Sequence, residues 1–183
     1  MLLIDGYNAL HQYFRGRTLD PKTMPAFREE FVEALEIYSV RRRKNLVVYF
    51  DSGKGDPPFP MRRQIVRGRL AVVTTPRGVT ADEALIERIE ETRDRRSIKV
   101  VTSDRVIVTA AERRRIETQS SEDFIQELER FLAASRSVYD EEKVAGISDG
   151  EADYWLREFG LDGEKLSEFM KKQDARRKTE DGK

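Results

Sequence analysis

The chain begins Met1-Leu2-Leu3-Ile4-Asp5-Gly6-Tyr7-Asn8, an apolar run that stops abruptly at an aspartate and a glycine. Three more short apolar runs stop at turn-forming or acidic residues, and they occupy positions 46–50, 70–74 and 98–102. Runs of this length that are bounded by turn residues are typical of buried strands. The opening stretch therefore predicts the first strand of a sheet, with the other three runs beside it.

Amphipathic stretches separate these runs. Apolar residues recur at helical spacing over 25–42, 80–92 and 121–134. Thr80 and Glu83 have the spacing of a capping box, in which the two side chains satisfy the first backbone N–H groups of a helix. Strands that alternate with helices predict an α/β protein built from βαβ units around a parallel sheet.

The remaining segments carry weaker patterns. Residues 64–70 predict a short strand that turns at Gly68 into the next one, and the Gly- and Pro-rich segment 52–61 predicts a loop. After about residue 135 the alternation of strands and helices ends. We therefore expect one domain at 1–135 and a helical C-terminal extension at 136–183, which ends in a disordered tail.

Composition narrows the chemistry that is available. The 183 residues include no cysteine and one histidine, His11, which excludes thiolate metal sites and makes zinc a poor candidate. The sequence has no long apolar segment and no basic leader. A cytoplasmic protein without a membrane span is therefore expected. The oligomeric state is left open.

Charge is divided unevenly along the chain although the net charge is zero. Residues 1–118 hold 23 Lys and Arg against 17 Asp and Glu, a net charge of +6, whereas residues 119–183 hold 11 against 17, a net charge of −6. A basic body suggests a polyanionic substrate, although arginines also decorate solvated faces. The arginines expected to bind such a substrate are Arg62, Arg63, Arg67 and Arg69.

Acidic residues stand where the predicted strands end. Asp5, Asp51 and Asp104 follow three of the four strands, and Asp82 and Glu83 lie in the first turn of the helix after another. The carboxyl ends of parallel strands meet at one edge of a sheet, where ligands bind. Carboxylates gathered there repel one another unless cations neutralise them, and oxygen ligands of this kind suit Mg²⁺ or Mn²⁺. An acidic metal site of this type is suited to phosphodiester hydrolysis.

Several strings resemble a known family of nucleases. Leu3-Ile4-Asp5-Gly6-Tyr7-Asn8 resembles the opening of the NYN nucleases, relatives of the PIN-domain superfamily. The strings Gly78-Val79-Thr80-Ala81-Asp82-Glu83 and Val101-Thr102-Ser103-Asp104-Arg105 fall at the spacing of the bacterial YacP-like branch, as do Tyr49-Phe50-Asp51 and the helix entry at 120–124. The resemblance covers roughly residues 1–135. It implies a PIN-like three-layer fold, in which a central, mainly parallel sheet is flanked by helices. It also implies divalent-metal-dependent endoribonuclease activity, and some members of this branch are associated with the ribosome and with mRNA decay.

The resemblance also implies a role for each acidic position. Asp5, Asp82 and Asp104 would hold the metal, Mg²⁺ or Mn²⁺, and Asn8 would orient a metal water or the scissile phosphate. Asp51 is a further candidate ligand, which either binds the metal through water or shapes its loop.

Flanking residues are candidates for RNA binding. Tyr7 is expected either to stack on a base or to pack against the domain. Arg105 would clamp a phosphate or pair with an acid. Glu83 is either a cap residue or a member of the site.

Three other functions fit parts of the sequence. The first is a catalytically inactive RNA-binding module on the same fold. The second is a small-molecule phosphohydrolase, although such enzymes often carry Asp-x-Asp after the first strand, where this chain has Asp5-Gly6-Tyr7. The third is a DNA-directed flap nuclease, whose additional DNA-clamping segments have no room in a chain of this length.

Overall fold

A computed structural model describes residues 1–52 and 63–144 of the chain. Its elements, in chain order, are β1 Leu2–Asp5, α1 Gly6–Tyr13, α2 Met24–Arg41, β2 Leu46–Phe50, β3 Arg63–Arg67, β4 Leu70–Thr74, α3 Ala81–Glu91, a 3₁₀ turn at Arg95–Ser97, β5 Lys99–Val101, α4 Arg105–Arg113, β6 Glu117–Gln119 and α5 Ser121–Val144. The strands form a mixed sheet in the order β3-β4-β2-β1-β5-β6. Every neighbouring pair is parallel except β3 and β4.

This arrangement confirms the predicted α/β fold with a mainly parallel sheet between helices. The four strands predicted from apolar runs are all present, and the weak pattern at 64–70 corresponds to β3 and the turn at Gly68, whose φ is +57°. The prediction missed β6 and the two short helices α1 and α4. The helix predicted over 121–134 is present as α5 and continues to Val144.

The two faces of the sheet are covered by different helices. One face presents Leu3, Tyr49, Val73 and Val100 to the buried side of α3 and α4. The opposite face lies under α1, α2 and the first turns of α5, where the rings of Tyr38 and Phe124 pack edge to face. Because side chains alternate along a strand, each central strand contributes to both cores. The result is a three-layer sandwich whose central parallel strands are buried.

The described chain falls into compact units, of which the first comprises Met1–Leu128 and the second begins at Glu129. The predicted division at residue 135, between a domain and an extension, stays a prediction. Most of the loop predicted at 52–61, and the part of the predicted extension from residue 145 onward, lie outside the described residues. Among the helices of the described part, none is long and apolar enough to cross a membrane.

Candidate active site

Carboxylates meet at one edge of the sheet, where the parallel strands end. Asp5 is the last residue of β1, Asp51 directly follows β2, and Asp104 lies three residues after the end of β5. Asp82 occupies the first turn of α3, which begins at the same edge. Asp5 is 6% exposed, whereas Asp82 is open to solvent. The site therefore combines a carboxylate held inside the fold with one presented at its surface.

Asp5 is held by both of its oxygens. Its Oδ2 accepts a hydrogen bond from the Thr102 hydroxyl at 2.9 Å, and its Oδ1 accepts one from the backbone N–H of Asn8 at 3.2 Å. The Thr102 hydroxyl oxygen in turn accepts from the backbone N–H of Asp104 at 3.0 Å. These bonds link the ends of β1 and β5 and fix the separation of Asp5 from Asp104.

Asn8 links the same two strand ends through its amide. The amide oxygen of Asn8 accepts a hydrogen bond from the backbone N–H of Ser103 at 3.1 Å, and the Ser103 hydroxyl accepts one from the backbone of Ser121 at 3.1 Å. The orientation of the Asn8 amide is therefore set by the loop after β5. Because the carbonyl oxygen faces that loop, the N–H₂ group is the part of the amide that remains to donate to a substrate oxygen.

Asp104 begins α4 as its N-cap. Its Oδ1 accepts hydrogen bonds from the backbone N–H groups of Val106 at 2.7 Å and Ile107 at 3.4 Å. A carboxylate at this position is stabilised by the N-terminal end of the helix. Asp104 therefore has a structural role that its position after a strand does not reveal by itself.

The start of α3 is held by three caps. Thr80 and Glu83 form the predicted capping box, with hydrogen bonds of 3.1 Å and 2.8 Å. The carboxylate of Asp51 accepts a third hydrogen bond, from the backbone N–H of Ala81. Asp51 and Glu83 thus act as cap groups of α3, and together they hold Asp82 at the edge of the sheet.

Burial and mutual repulsion make the site unfavourable for negative charge. Burial is the largest cause that raises the pKa of Asp5, and the nearby charges of Asp82 and Asp104 raise it further. The pKa of Asp82 is also raised, first by desolvation and then by Asp104, Asp51 and Glu83. These carboxylates repel one another and so form an electrostatic unit that a cation would stabilise.

The donor atoms of this unit fit a hard divalent cation, because all of them are carboxylate oxygens. As the side chains stand, however, the described residues include no group of three His, Cys, Asp or Glu side chains that could hold a metal ion. Three of the carboxylates, Asp5, Asp51 and Asp104, accept hydrogen bonds from backbone N–H groups at helix N-termini. The chemistry of the donors and the raised pKa values of Asp5 and Asp82 are thus the features that suit a metal.

The predicted RNA-binding arginines separate into two groups. The ladder pairs Arg63 with Thr74, at the carboxylate edge, and Arg67 with Leu70, at the opposite edge. Arg69 also lies at that opposite edge, where its side chain donates to Asn45 at 3.0 Å. Arg67 forms an ion pair with Glu29 at 2.7 Å. Arg62 lies outside the described residues.

Two other predicted contacts lie at the carboxylate edge. The half-buried ring of Tyr7 packs edge to face on Phe50, with 5.2 Å between centroids. Arg105 is exposed at the first position of α4, next to Asp104. Sequence reasoning missed a further cation here: Arg28 of α2 donates to the hydroxyl of Thr74 at 2.8 Å. No motif marks Arg28, because it reaches the site only through the packing of α2 on the sheet.

The raised pKa of Asp82 leads to a prediction about stability. The charged form of Asp82 is disfavoured in the folded state. This group therefore stabilises the fold fully below its unfolded pKa of about 3.9, and the stabilisation is lost as the pH rises through its raised pKa in the folded state. We expect Asp82→Asn to increase the free energy of unfolding at pH 7 without metal. The gain should disappear near pH 3.5.

Urea denaturation at the two pH values measures this effect. Glu112→Gln, on the exposed end of α4, is the control for the loss of one negative charge and should show no such pH-dependent gain. A lower stability of Asp82→Asn at pH 7 would contradict the inferred repulsion.

Comparison with known proteins agrees with this geometry. Residues 2–171 match the model of the YacP-like NYN domain family. Two solved structures of Rae1 (YacP) from Bacillus subtilis are similar to this chain. One of them, a mutant form, has a TM-score of 0.63 and 19% sequence identity, and the match covers 92% of this chain and 96% of that chain. The other structure has a TM-score of 0.60 and 20% sequence identity, and the match covers 87% of this chain and 92% of that chain. No curated protein sequence matches the chain. The shared fold is PIN-like. The chain belongs to the YacP-like NYN family, whose members are generally nucleases that act on RNA.

Proposed function

We propose that this protein is a divalent-metal-dependent endoribonuclease that hydrolyses RNA phosphodiester bonds at the carboxylate edge of its sheet. The observation that carries the proposal is the pairing of a buried carboxylate, Asp5, with an exposed one, Asp82, both with raised pKa values. Negative charge on these carboxylates is costly because of burial and mutual repulsion, and a cation would offset that cost. We propose RNA as the substrate because members of the YacP-like NYN family are generally nucleases that act on RNA.

Asp5, Asp82 and Asp104 would hold the metal, which we propose to be Mg²⁺ or Mn²⁺. When bound, such an ion lowers the pKa of water and stabilises charge on phosphate oxygens. The protein contributes rigidity: Thr102 and the backbone of Asn8 hold Asp5 in place, so little reorganisation is needed when substrate arrives. Asp51 positions Asp82 through Ala81 and is the weaker candidate ligand.

Other residues at this edge would hold the RNA. The N–H₂ group of Asn8 is suited to donate to a phosphate oxygen, and exposed Arg105 to clamp a flanking phosphate. Tyr7, half-buried against Phe50 at this edge, is the proposed platform for a base. Arg63 lies at the carboxylate edge, so among Arg62, Arg63, Arg67 and Arg69 it is the described residue best placed near the cleaved bond. Arg67 and Arg69 would contact RNA farther along.

The decisive experiment compares linear and circular RNA of the same sequence, because a circle has no end and only an endonuclease can cut it. We expect both to be cleaved with Mg²⁺ or Mn²⁺ and neither with EDTA. Cleavage of the linear form alone would indicate an exonuclease. Tight RNA binding without any cleavage would support the alternative, an inactive RNA-binding module on this fold. Hydrolysis only of small phosphate esters would support a phosphohydrolase.

We further propose that the enzyme works in the cytoplasm, in ribosome-associated mRNA decay. The support is membership in the YacP-like family, because some members of this branch are associated with the ribosome and with mRNA decay. Cleavage of one mRNA, free or engaged by translating ribosomes, tests the proposal. Faster or more site-specific cleavage on ribosomes is expected, and equal cleavage in both states would contradict it.

A further inference from the structure

Arg28 is a cation at the carboxylate edge that no sequence motif identifies. It lies in the second turn of α2, and its guanidinium donates a hydrogen bond to the hydroxyl of Thr74 at 2.8 Å. The guanidinium carbon also lies 4.6 Å from the centroid of the Phe50 ring. Thr74 is the last residue of β4 and Phe50 the last of β2, so Arg28 is held across two adjacent strand ends.

The same ring connects Arg28 to the residues beside Asp5. Phe50 packs against the ring of Tyr7, and Gly6 approaches Phe50 so closely that an added Cβ would lie 2.6 Å from its ring carbons. In the sheet order, β4 is two strands from β1, which corresponds to about 10 Å at the usual spacing of strands. Arg28 therefore stands beside the carboxylates but not among them.

An arginine in this position is suited to bind a backbone phosphate. The guanidinium is planar, presents several donors, and stacks on an aromatic face while it binds an anion. Its position is fixed by Thr74 and Phe50, so less side-chain entropy is lost on binding. It is only partly buried, so a backbone phosphate can reach it.

We propose that Arg28 binds a phosphate of the RNA next to the scissile one, on the β2–β4 side of the site, and so sets the path of the RNA across the carboxylates. This inference rests on the proposed function for the identity of the polyanion. Its role is to bind substrate, and the carboxylates would perform the chemistry.

The test measures binding of a single-stranded oligoribonucleotide in Mg²⁺ over a range of salt concentrations, in an Asp82→Asn background that prevents cleavage. Arg28→Met should weaken binding roughly tenfold or more, in line with the loss of one charge-assisted contact. The salt slope, d log K/d log [salt], should decrease in magnitude by about 0.7, the value for one phosphate on a single strand. Arg28→Lys should keep the slope because it keeps the charge.

Two matched variants separate binding from structure and from general charge. Thr74→Val removes the hydrogen-bond partner of Arg28 at nearly constant shape, and it should leave the salt slope unchanged. Arg95→Met removes an exposed charge next to the start of β5, at the opposite edge, and should also leave it unchanged. If Thr74→Val or Arg95→Met lowers the salt slope as much as Arg28→Met does, the proposal is overturned.

The kinetic arm uses Arg28→Met in the otherwise unchanged enzyme. A higher KM with a kcat within about threefold is expected of a residue that binds substrate equally in the ground and transition states. A lower kcat with unchanged KM and unchanged salt slope would overturn the proposal. If no variant, nor the wild type, cleaves RNA, the proposed endonuclease fails, whereas the salt slopes still decide whether Arg28 binds phosphate. Should Arg28→Met fail to fold, Arg28→Gln removes the same charge with a polar side chain and should lower the salt slope by the same amount, and an unchanged slope in Arg28→Gln would overturn the proposal.

Discussion

Replacing Asp82 by asparagine is expected to lower the rate of RNA cleavage at saturating Mg²⁺ by at least about a hundredfold, because it removes a proposed metal ligand and with it about 3 kcal/mol of transition-state stabilisation. Asp82 contributes less to the fold than the other site carboxylates, which cap helices. It is exposed, and the cap bonds that hold α3 come from Thr80, Glu83 and Asp51 instead. The substitution should therefore leave the fold intact. Single-turnover cleavage of a labelled RNA measures the rate, and circular dichroism measures the fold.

The matched control is Glu83→Gln, one residue along the same helix turn. Glu83 accepts a hydrogen bond from the backbone N–H of Thr80 at 2.8 Å, so its change should cost stability, by up to about 1 kcal/mol. Cleavage should stay within a few-fold of the wild-type rate. If Glu83→Gln abolishes cleavage and Asp82→Asn does not, the two residues have been assigned the wrong way round. Normal cleavage in both variants would remove this turn from the active site.

The parallel strands were predictable because each one is a short apolar run with a polar stop. Burial on both faces requires such continuous runs, and a single sequence displays them directly. β6 has no comparable signal, because Glu117–Gln119 is polar. This segment becomes a strand because it pairs with the edge of β5. Its formation depends on tertiary pairing, which local sequence does not encode.

The two missed helices are short and carry ambiguous patterns. The first turn of α4 includes Val106, Ile107 and Val108, a β-branched run that is typical of a strand. In the structure Ile107 is buried, whereas Val106 is 67% exposed. These residues therefore lie on two different faces of a helix and do not form a buried strand. What makes it helical is the cap that Asp104 provides, together with the packing of α4 on α3.

At the candidate site, the sequence located the acidic residues but could not separate their roles. An aspartate after a strand serves equally as a ligand or as the cap of the following helix, and Asp5 and Asp104 occupy N-cap positions. Asp51 caps α3 across a separation of 30 residues. Arg28 meets Thr74 across 46 residues. Contacts of this range arise from the packing of whole helices on the sheet, so no local spacing predicts them.

Gly6→Ala is expected to reduce the free energy of unfolding by about 3 kcal/mol, roughly 6–12 °C in melting temperature for a chain of this size, and to reduce cleavage with it. A Cβ at Gly6 would lie 2.3 Å from the backbone oxygen of Tyr49 and 2.6 Å from the ring of Phe50. Neither group can move easily, because Tyr49 and Phe50 belong to the central strand β2. The clash would push the start of α1 away from β2 and shift Asp5.

This result would be notable because local helix preference predicts the opposite sign. Gly6 is the first residue of α1, where alanine is the better helix former by up to about 1 kcal/mol. Gly16→Ala is the control for the reverse situation: its φ is +89°, yet nothing lies within 4 Å of an added Cβ. That variant should lose only the backbone strain, about 1–2 kcal/mol, and should cleave normally. If Gly6→Ala is as stable as the wild type, β2 and α1 are farther apart than the structure places them, and the close packing that joins Asp5 to the Phe50 side of the site is wrong.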